Sequence, residues 1–336
     1  MPQRGELVSA ATVAEYLVQR GVIDSAADVE AVELGGGVSN VVLLVRAPAL
    51  GCVVKQSLPR LRVDDEWLAK RERAINEANA LRVANRLSPG LVPDVLDLDE
   101  IACALVIEAA PAAWREWKRV LLNGEAEPGT AKQLGAVLGT WHRETWDDDA
   151  IARRFDDMEA FDQLRIDPYY RTVVRRHPDL ARPVLAYVDR MLSTRRCLVH
   201  GDYSPKNVLV GKGGLWVIDF EVAHFGDPVF DIAFMVNHLM LKGVHRPDSD
   251  ERYRRCARAF WSAYREEVDD ALAPPMRYLL GHVGCLMLAR VAGKSPAEYL
   301  SESEQEVAWR VATALLLDPP DAVEGAWQVL RRFIRR

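Results

Sequence analysis

No apolar run in the 336-residue chain approaches the roughly 20 residues that a membrane-spanning helix needs, so no membrane partner is expected. There is no excess of positive charge either. Lys and Arg number 43 against 49 Asp and Glu, a formal net charge of −6, which argues against nucleic acid as the main partner. Met1 to Ala10 lacks the basic region and apolar stretch of a secretion signal. The five cysteines, Cys52, Cys103, Cys197, Cys256 and Cys285, are scattered and odd in number, and no C-x-x-C pair suggests zinc. They read as reduced core thiols of a cytoplasmic protein. Internal repeats and low-complexity tracts are missing too. What remains is an ordinary globular composition, 49% hydrophobic and 27% charged, long enough for a full core and two lobes.

The first third of the chain is rich in strand patterns. Ala11 to Arg20 reads as a short helix with Val13, Tyr16 and Leu17 on one face. Strands follow at Val29 to Leu34, Val38 to Arg46 and Cys52 to Lys55. A long helix from Glu66 to Leu87 stops at Ser88-Pro89-Gly90, and Val92 to Asp99 and Cys103 to Glu108 read as two more strands. Beyond the linker Ala109-Ala110-Pro111 helices dominate, among them Val184 to Leu192, Phe230 to Leu241, Arg252 to Val268, Arg277 to Ala292, Glu304 to Leu317 and Ala322 to Ile334. The expectation is an α+β fold. A small, β-rich N-lobe spans residues 1–108, a hinge lies near 107–112, and a larger, mostly helical C-lobe spans 109–336.

The most informative stretch is His200-Gly201-Asp202-Tyr203-Ser204-Pro205-Lys206-Asn207, followed by Val217-Ile218-Asp219-Phe220-Glu221. It sets two carboxylates and one carboxamide at the ends of two short apolar strands. That layout suits phosphoryl transfer: Asp202 to orient an acceptor hydroxyl and take its proton, Asn207 and Asp219 to hold Mg²⁺ through oxygen. The same spacing occurs in the H-R-D-x-x-x-x-N and D-F-G elements of protein kinases. Upstream, Gly35-Gly36-Gly37 would let backbone N–H groups approach a phosphate, with Ser39 and Asn40 adding polar groups; a plain hairpin turn explains the glycines as well. Lys55 ends an apolar strand, from which it would reach the phosphates of ATP. Glu77, with Glu72 as a rival, is the acid that would pair with it. Glu221 would serve a second Mg²⁺ or the substrate, or be a surface acid. Arg290 would approach an anionic or polyol substrate, or be a salt-bridging surface residue. His200 would hold its loop, and Asp231 reads as a helix N-cap or loop anchor. The acidic runs Asp147-Asp148-Asp149 and Asp156-Asp157 would attract a cation or cap helix ends.

His200 to Val210 and Val217 to Asp231, with Gly226-Asp227-Pro228 between, resemble the catalytic core of the aminoglycoside phosphotransferase and choline kinase superfamily. The resemblance runs from about Val32 to about Ala292. It implies a protein-kinase-like two-lobe fold and a kinase that uses ATP and Mg²⁺ to phosphorylate a hydroxyl of a small metabolite. By that similarity Asp202 is the base, Asn207 and Asp219 the metal ligands, and Lys55 the phosphate contact. Lys55-Gln56-Ser57-Leu58-Pro59-Arg60-Leu61-Arg62, Trp117 to Gly124, and Glu221 look like the methylthioribose kinase branch. Methylthioribose kinases tend to carry no Asn at the position of Asn207, so a sister activity on another sugar or amino alcohol is expected alongside methylthioribose. The alternatives are an aminoglycoside-type antibiotic phosphotransferase and a non-catalytic nucleotide-binding regulator of the same fold. Methylthioribose kinases are dimers, which leaves a homodimer open. Phe220-Glu221 in place of Phe-Gly, and the short run from Asp219 to Asp231, argue against a protein substrate.

Overall fold

Alternating apolar residues fold the early part of the chain into a sheet. The computed structural model describes residues 7–35, 39–61 and 69–334. Its first strands are β1 at Glu30–Glu33, β2 at Asn40–Ala47, β3 at Leu50–Ser57, β4 at Val95–Asp99 and β5 at Ala104–Glu108. They form one antiparallel sheet in the order β1-β2-β3-β5-β4. Side chains alternate across the pleat. Val41, Leu43 and Val45 of β2, Cys52 and Val54 of β3, and Ala104 and Val106 of β5 therefore share one buried face. Helix α1, Val13–Gln19, closes that face with Val13, Tyr16 and Leu17. Lys55 is one residue out of phase with Val54 and points from the opposite face, where helix α2, Arg73–Leu87, supplies Glu77.

The helix expected from Glu66 begins later. Residues 66–68 lie outside the described residues, and the first helical residue is Arg73. Arg71 and Arg73 tie down the approach: Arg71 donates to Ser57 O at 3.0 Å, and Arg73 donates to Lys70 O at 2.6 Å and Leu58 O at 3.0 Å.

The chain divides into two compact units. The first takes the residues up to Trp114 together with 211–222, and the second takes 115–210 and 223–336. The returning segment 211–222 is bound to the first unit by Val217 N–H to Leu91 O at 2.9 Å and by Trp216 Nε1 to Gly90 O at 3.1 Å. It brings Asp219 and Glu221 into that unit.

The second unit is helical. It holds α3 (Trp117–Leu122), α4 (Pro128–Glu144), α5 (Asp149–Arg154), α6 (Glu159–Phe161), α7 (Thr172–Arg176), α8 (Ala181–Ser193), α9 (Val229–His245), α10 (Asp250–Glu267), α11 (Met276–Ala292), α12 (Glu302–Leu317) and α13 (Val323–Ile334). Helix α9 is buried from Val229 to Val244 except at His238, and α11 is buried from Tyr278 to Arg290, so these two apolar helices form the interior. Helices α4 and α10 approach closely because Gly135 has no side chain: a Cβ there would stand 2.1 Å from Phe260 O. Between α6 and α7 the stretch Asp162–Arg171 widens into a π-helix around Pro168, whose missing N–H cannot serve an ordinary turn. Short strands at Cys197–Val199 and His224–Gly226 pair antiparallel. All five cysteines are free and buried, and no helix among the described residues is long and apolar enough to cross a membrane.

Candidate active site

The strand Cys197–Val199 delivers His200, and the chain then turns at Gly201, whose φ of 77° lies in the left-handed region that glycine accepts without strain. The N–H groups of His200 and Gly201 both donate to the Asp231 carboxylate, at 2.7 and 2.8 Å. Asp231 is the third residue of α9 and therefore anchors the loop instead of capping the helix. Burial works to raise its pKa, but His142 at 3.5 Å and the loop around His200 outweigh it and hold the carboxyl below its ordinary range. Asp202 N–H donates to His200 Nδ1 at 3.1 Å, which closes the loop on itself, and the buried Tyr203 hydroxyl donates to Leu134 O of α4 at 2.8 Å, which ties the loop to the helical core.

The Asp202 carboxylate is gripped by two groups. Asn207 Nδ2 donates to Asp202 Oδ2 at 2.7 Å and to Asp202 O at 3.0 Å, while Arg165 Nη2 stands 2.7 Å from the same Oδ2. Both partners of the Asn207 amide nitrogen are acceptors, so the amide has one sensible orientation, with its oxygen turned to the other side. Arg165 also donates to Gly201 O at 3.0 Å and Leu164 O at 2.7 Å. It projects from the π-helix, and sequence reasoning missed it. The only signal is Pro168 inside a helical pattern, which marks a widened turn and not the arginine itself.

The first unit holds a second constellation. Lys55 Nζ lies 2.6 Å from Glu77 Oε1 and 2.6 Å from Asp219 Oδ1. Glu77, and not Glu72 at the start of α2, is thus the acid on Lys55. Burial acts to lower the pKa of Lys55, but Asp219 and Glu77 outweigh it and hold the ammonium well above its ordinary value. Glu77 is the deeper of the two acids, and burial pushes its carboxyl above the ordinary range against the pull of Lys55. Asp219 has a φ of 73°, a left-handed backbone uncommon outside glycine and tolerated better by Asp than by most residues.

Ser39 and Asn40, expected beside phosphates, turn to Glu221 instead. Ser39 Oγ donates to its Oε1 at 2.8 Å, and Asn40 Nδ2 and Arg73 Nε donate to its Oε2 at 2.9 and 3.0 Å. Both oxygens of the buried Glu221 are engaged by protein donors, so it is no surface acid. Gly35 has open space where a side chain would stand, and Gly36 and Gly37 lie outside the described residues. Arg290 is buried, not exposed, and its Nη1 donates to Ser295 O and Oγ at 2.5 and 2.9 Å; among the described residues it forms no ion pair. The acidic runs are engaged at helix ends and in pairs. Asp148 caps α5, Asp157 accepts Glu159 N–H at 2.8 Å, and Asp147 and Asp156 pair with Arg196 and Arg195.

No group of three or more His, Cys, Asp or Glu side chains is gathered for a metal among the described residues. The two expected ligands stand one in each unit. Each offers a hard oxygen, the Asp219 carboxylate and the Asn207 amide oxygen, the donor type that Mg²⁺ prefers. A carboxylate fixed at the end of an anchored loop can orient a hydroxyl and accept its proton. A charged lysine set between carboxylates can meet an oxyanion.

Known proteins are similar to this chain. The model of the "Phosphotransferase enzyme family" matches residues 30–274. A methylthioribose kinase of Erwinia tasmaniensis is 26% identical over 344 aligned positions, covering 85% of this chain and 86% of that protein. An ethanolamine kinase of Plasmodium vivax superposes with a TM-score of 0.56 at 11% identity, covering 98% of this chain and 90% of that one. An amicoumacin kinase in complex with AMP-PNP, Ca²⁺ and Ami gives a TM-score of 0.55 at 17% identity, covering 87% and 89%. These two likenesses are of fold: an antiparallel sheet in the first unit and helices in the second.

Proposed function

The chain belongs to the phosphotransferase enzyme family, and from that premise we propose that it transfers the γ-phosphoryl group of ATP to a hydroxyl of a small metabolite such as a sugar or amino alcohol. It is an alcohol-accepting kinase with a protein-kinase-like α+β fold, and it uses ATP and a divalent cation. One observation carries the reading of the site: Asp202 stands on a loop anchored by Asp231, with its carboxylate aimed by Asn207 and Arg165.

In this proposal Asp202 receives the acceptor hydroxyl as a hydrogen-bond donor and takes its proton late, because phosphoryl transfer is loose and asks for positioning more than for proton abstraction. Arg165 acts through Asp202 and is a positioning residue. Lys55, aligned by Glu77, meets phosphate oxygens of the nucleotide. Asn207 and Asp219 would hold Mg²⁺, which when bound neutralises charge on the phosphates. The first unit is the nucleotide-binding body, and the second carries the catalytic loop and the acceptor. Relatives named methylthioribose kinase make a methylthioribose-like sugar one candidate acceptor. The free, buried thiols suit a reducing compartment, and a cytoplasmic location is part of the proposal.

An ADP-release assay over sugars, sugar phosphates, hydroxy acids, amino alcohols and aminoglycosides tests it. Turnover with at least one acceptor is expected. Tight binding of MgATP with no turnover on any hydroxyl compound would favour a regulatory nucleotide-binding protein.

A further inference from the structure

In the second unit two buried cations, Lys242 and Arg290, form no ion pair among the described residues. Lys242, in the last turn of α9, is fully buried. Its ammonium reaches only a carbonyl of its own helix, His238 O at 3.3 Å, and among the described residues it has no carboxylate partner. Lys118 of α3 joins it: the two ammonium groups lie 5.9 and 5.5 Å from the centre of the same ring, Tyr299, with Lys242 the nearer. Arg290 of α11 is the third cation. Burial first, then Lys118 and Arg290, push the Lys242 ammonium down to about 7, while Glu298 and Glu116 pull the other way. Glu298 is itself bound to Lys118.

Two buried polar atoms at this place have no hydrogen-bond partner, Arg290 Nε and the Tyr299 hydroxyl. The cluster also neighbours the catalytic loop, since α3 packs on the turn Pro205–Asn207 and α11 on the π-helix that carries Arg165. His238 is pushed well below its ordinary pKa by burial and then by Lys242, Arg290, Lys118 and Arg165, the last being the residue that grips Asp202. Burying an unmatched cation is costly, and a fold keeps such a group where a ligand supplies the countercharge.

We propose that Lys242, Arg290 and Lys118 form an anion subsite for the acceptor, which is an alcohol bearing a carboxylate or phosphate group whose hydroxyl is presented to Asp202. The hydroxyl half of this statement rests on the kinase reading; the anion half does not. In the reaction the acceptor oxygen bonds to the γ-phosphorus as the bond to the β–γ bridging oxygen breaks, ADP leaves, and the hydroxyl proton goes to Asp202. A cationic amine or aminoglycoside would be repelled from the subsite.

Thermal unfolding of the full chain in inorganic phosphate is the first arm. Phosphate should raise the melting temperature of the wild type and of Lys55→Met, and this rise should vanish in Lys242→Met and shrink in Lys118→Met. A rise kept in Lys242→Met and lost in Lys55→Met, or no rise in the wild type, overturns the subsite and leaves the kinase reading intact. The second arm is ADP release with hydroxy acids, sugar phosphates, neutral sugars and amino alcohols, the first two separating a carboxylate from a phosphate. Turnover confined to the anionic classes is expected, with Lys242→Met lowering kcat/KM about 100-fold and leaving the KM for ATP within about twofold. Turnover of neutral or cationic acceptors alone overturns the inference. A phosphate response at Lys242 with no turnover of any class would retain the anion site and remove the kinase reading.

Discussion

Asp202 is held from two sides, by the Asn207 amide at 2.7 Å and by Arg165 at 2.7 Å. Removing the arginine leaves the amide alone to aim the carboxylate. Arg165→Met should therefore lower kcat by about 10- to 100-fold while the KM for ATP stays within about twofold. Steady-state kinetics checks this, and an unchanged kcat would take Arg165 out of the site. Lys242 carries a pH signature. Its folded pKa of about 7 lies below the ordinary 10.5, so between those values the unfolded chain holds a proton that the folded chain has released. Stability then rises with pH across that window, and below about 7 the full cost of the buried charge is present. Lys242→Met should melt above the wild type at pH values near 6, and the gap should narrow toward pH 9, both chosen on the order of one to two units from that pKa. A gap constant with pH would contradict it. The approach of Glu77 to Lys55 and the placing of Asp202, Asn207 and Asp219 at loop and strand ends were legible in the sequence because each has a local signal, a short spacing or a strand end. Arg165 and Lys242 were not, because a partner gained or withheld in the interior leaves no mark on neighbouring residues. Ser39, Asn40 and Glu221 were read as ligand groups for the same reason: polar residues near a glycine turn look alike whether they face a phosphate or each other.

At the scale of elements, two contacts bear weight. The approach of α4 to α10 depends on Gly135, where a Cβ would meet Phe260 O at 2.1 Å. Gly135→Ala should cost about 1–3 kcal/mol in urea unfolding, since backbone on the far side cannot step aside. A wild-type midpoint would show that the helices separate freely. Arg73 starts α2 and reaches Glu221, Leu58 O, Lys70 O and Ser39 O with a side chain fully out of solvent. Arg73→Met strands the Glu221 carboxylate and should cost about 3–5 kcal/mol. A loss below about 1 kcal/mol, the range of exposed pairs, would mean that Ser39 and Asn40 suffice for Glu221. The long apolar patterns of α9 and α11 were plain in the sequence because periodicity accumulates over many turns. The π-helix at Asp162–Arg171 and the three-residue strands Cys197–Val199 and His224–Gly226 offer too few residues for a period to register.

Across the whole molecule, the chain contributes to its first unit twice, once up to Trp114 and again at 211–222. That return is what puts Asp219 beside Lys55, and no linear reading of composition reveals it, because pairing across 164 positions is a tertiary event. A ligand that engages both Lys55 and Asp219 should stabilise the folded chain by about 2.7 kcal/mol at a hundredfold excess over its Kd. MgATP is the test ligand, and Asp219→Ala should lose the Mg²⁺-dependent part of the shift; an unchanged shift would remove Asp219 from the nucleotide site. The most direct measurement is ADP release in the presence of a phosphorylated acceptor, compared between the wild type and Asp202→Asn at matched MgATP binding. Asp202→Asn should bind MgATP as the wild type does and lose turnover by about 10³-fold or more. Turnover of Asp202→Asn within about tenfold of the wild type would contradict it, because general-base assistance is worth more than that.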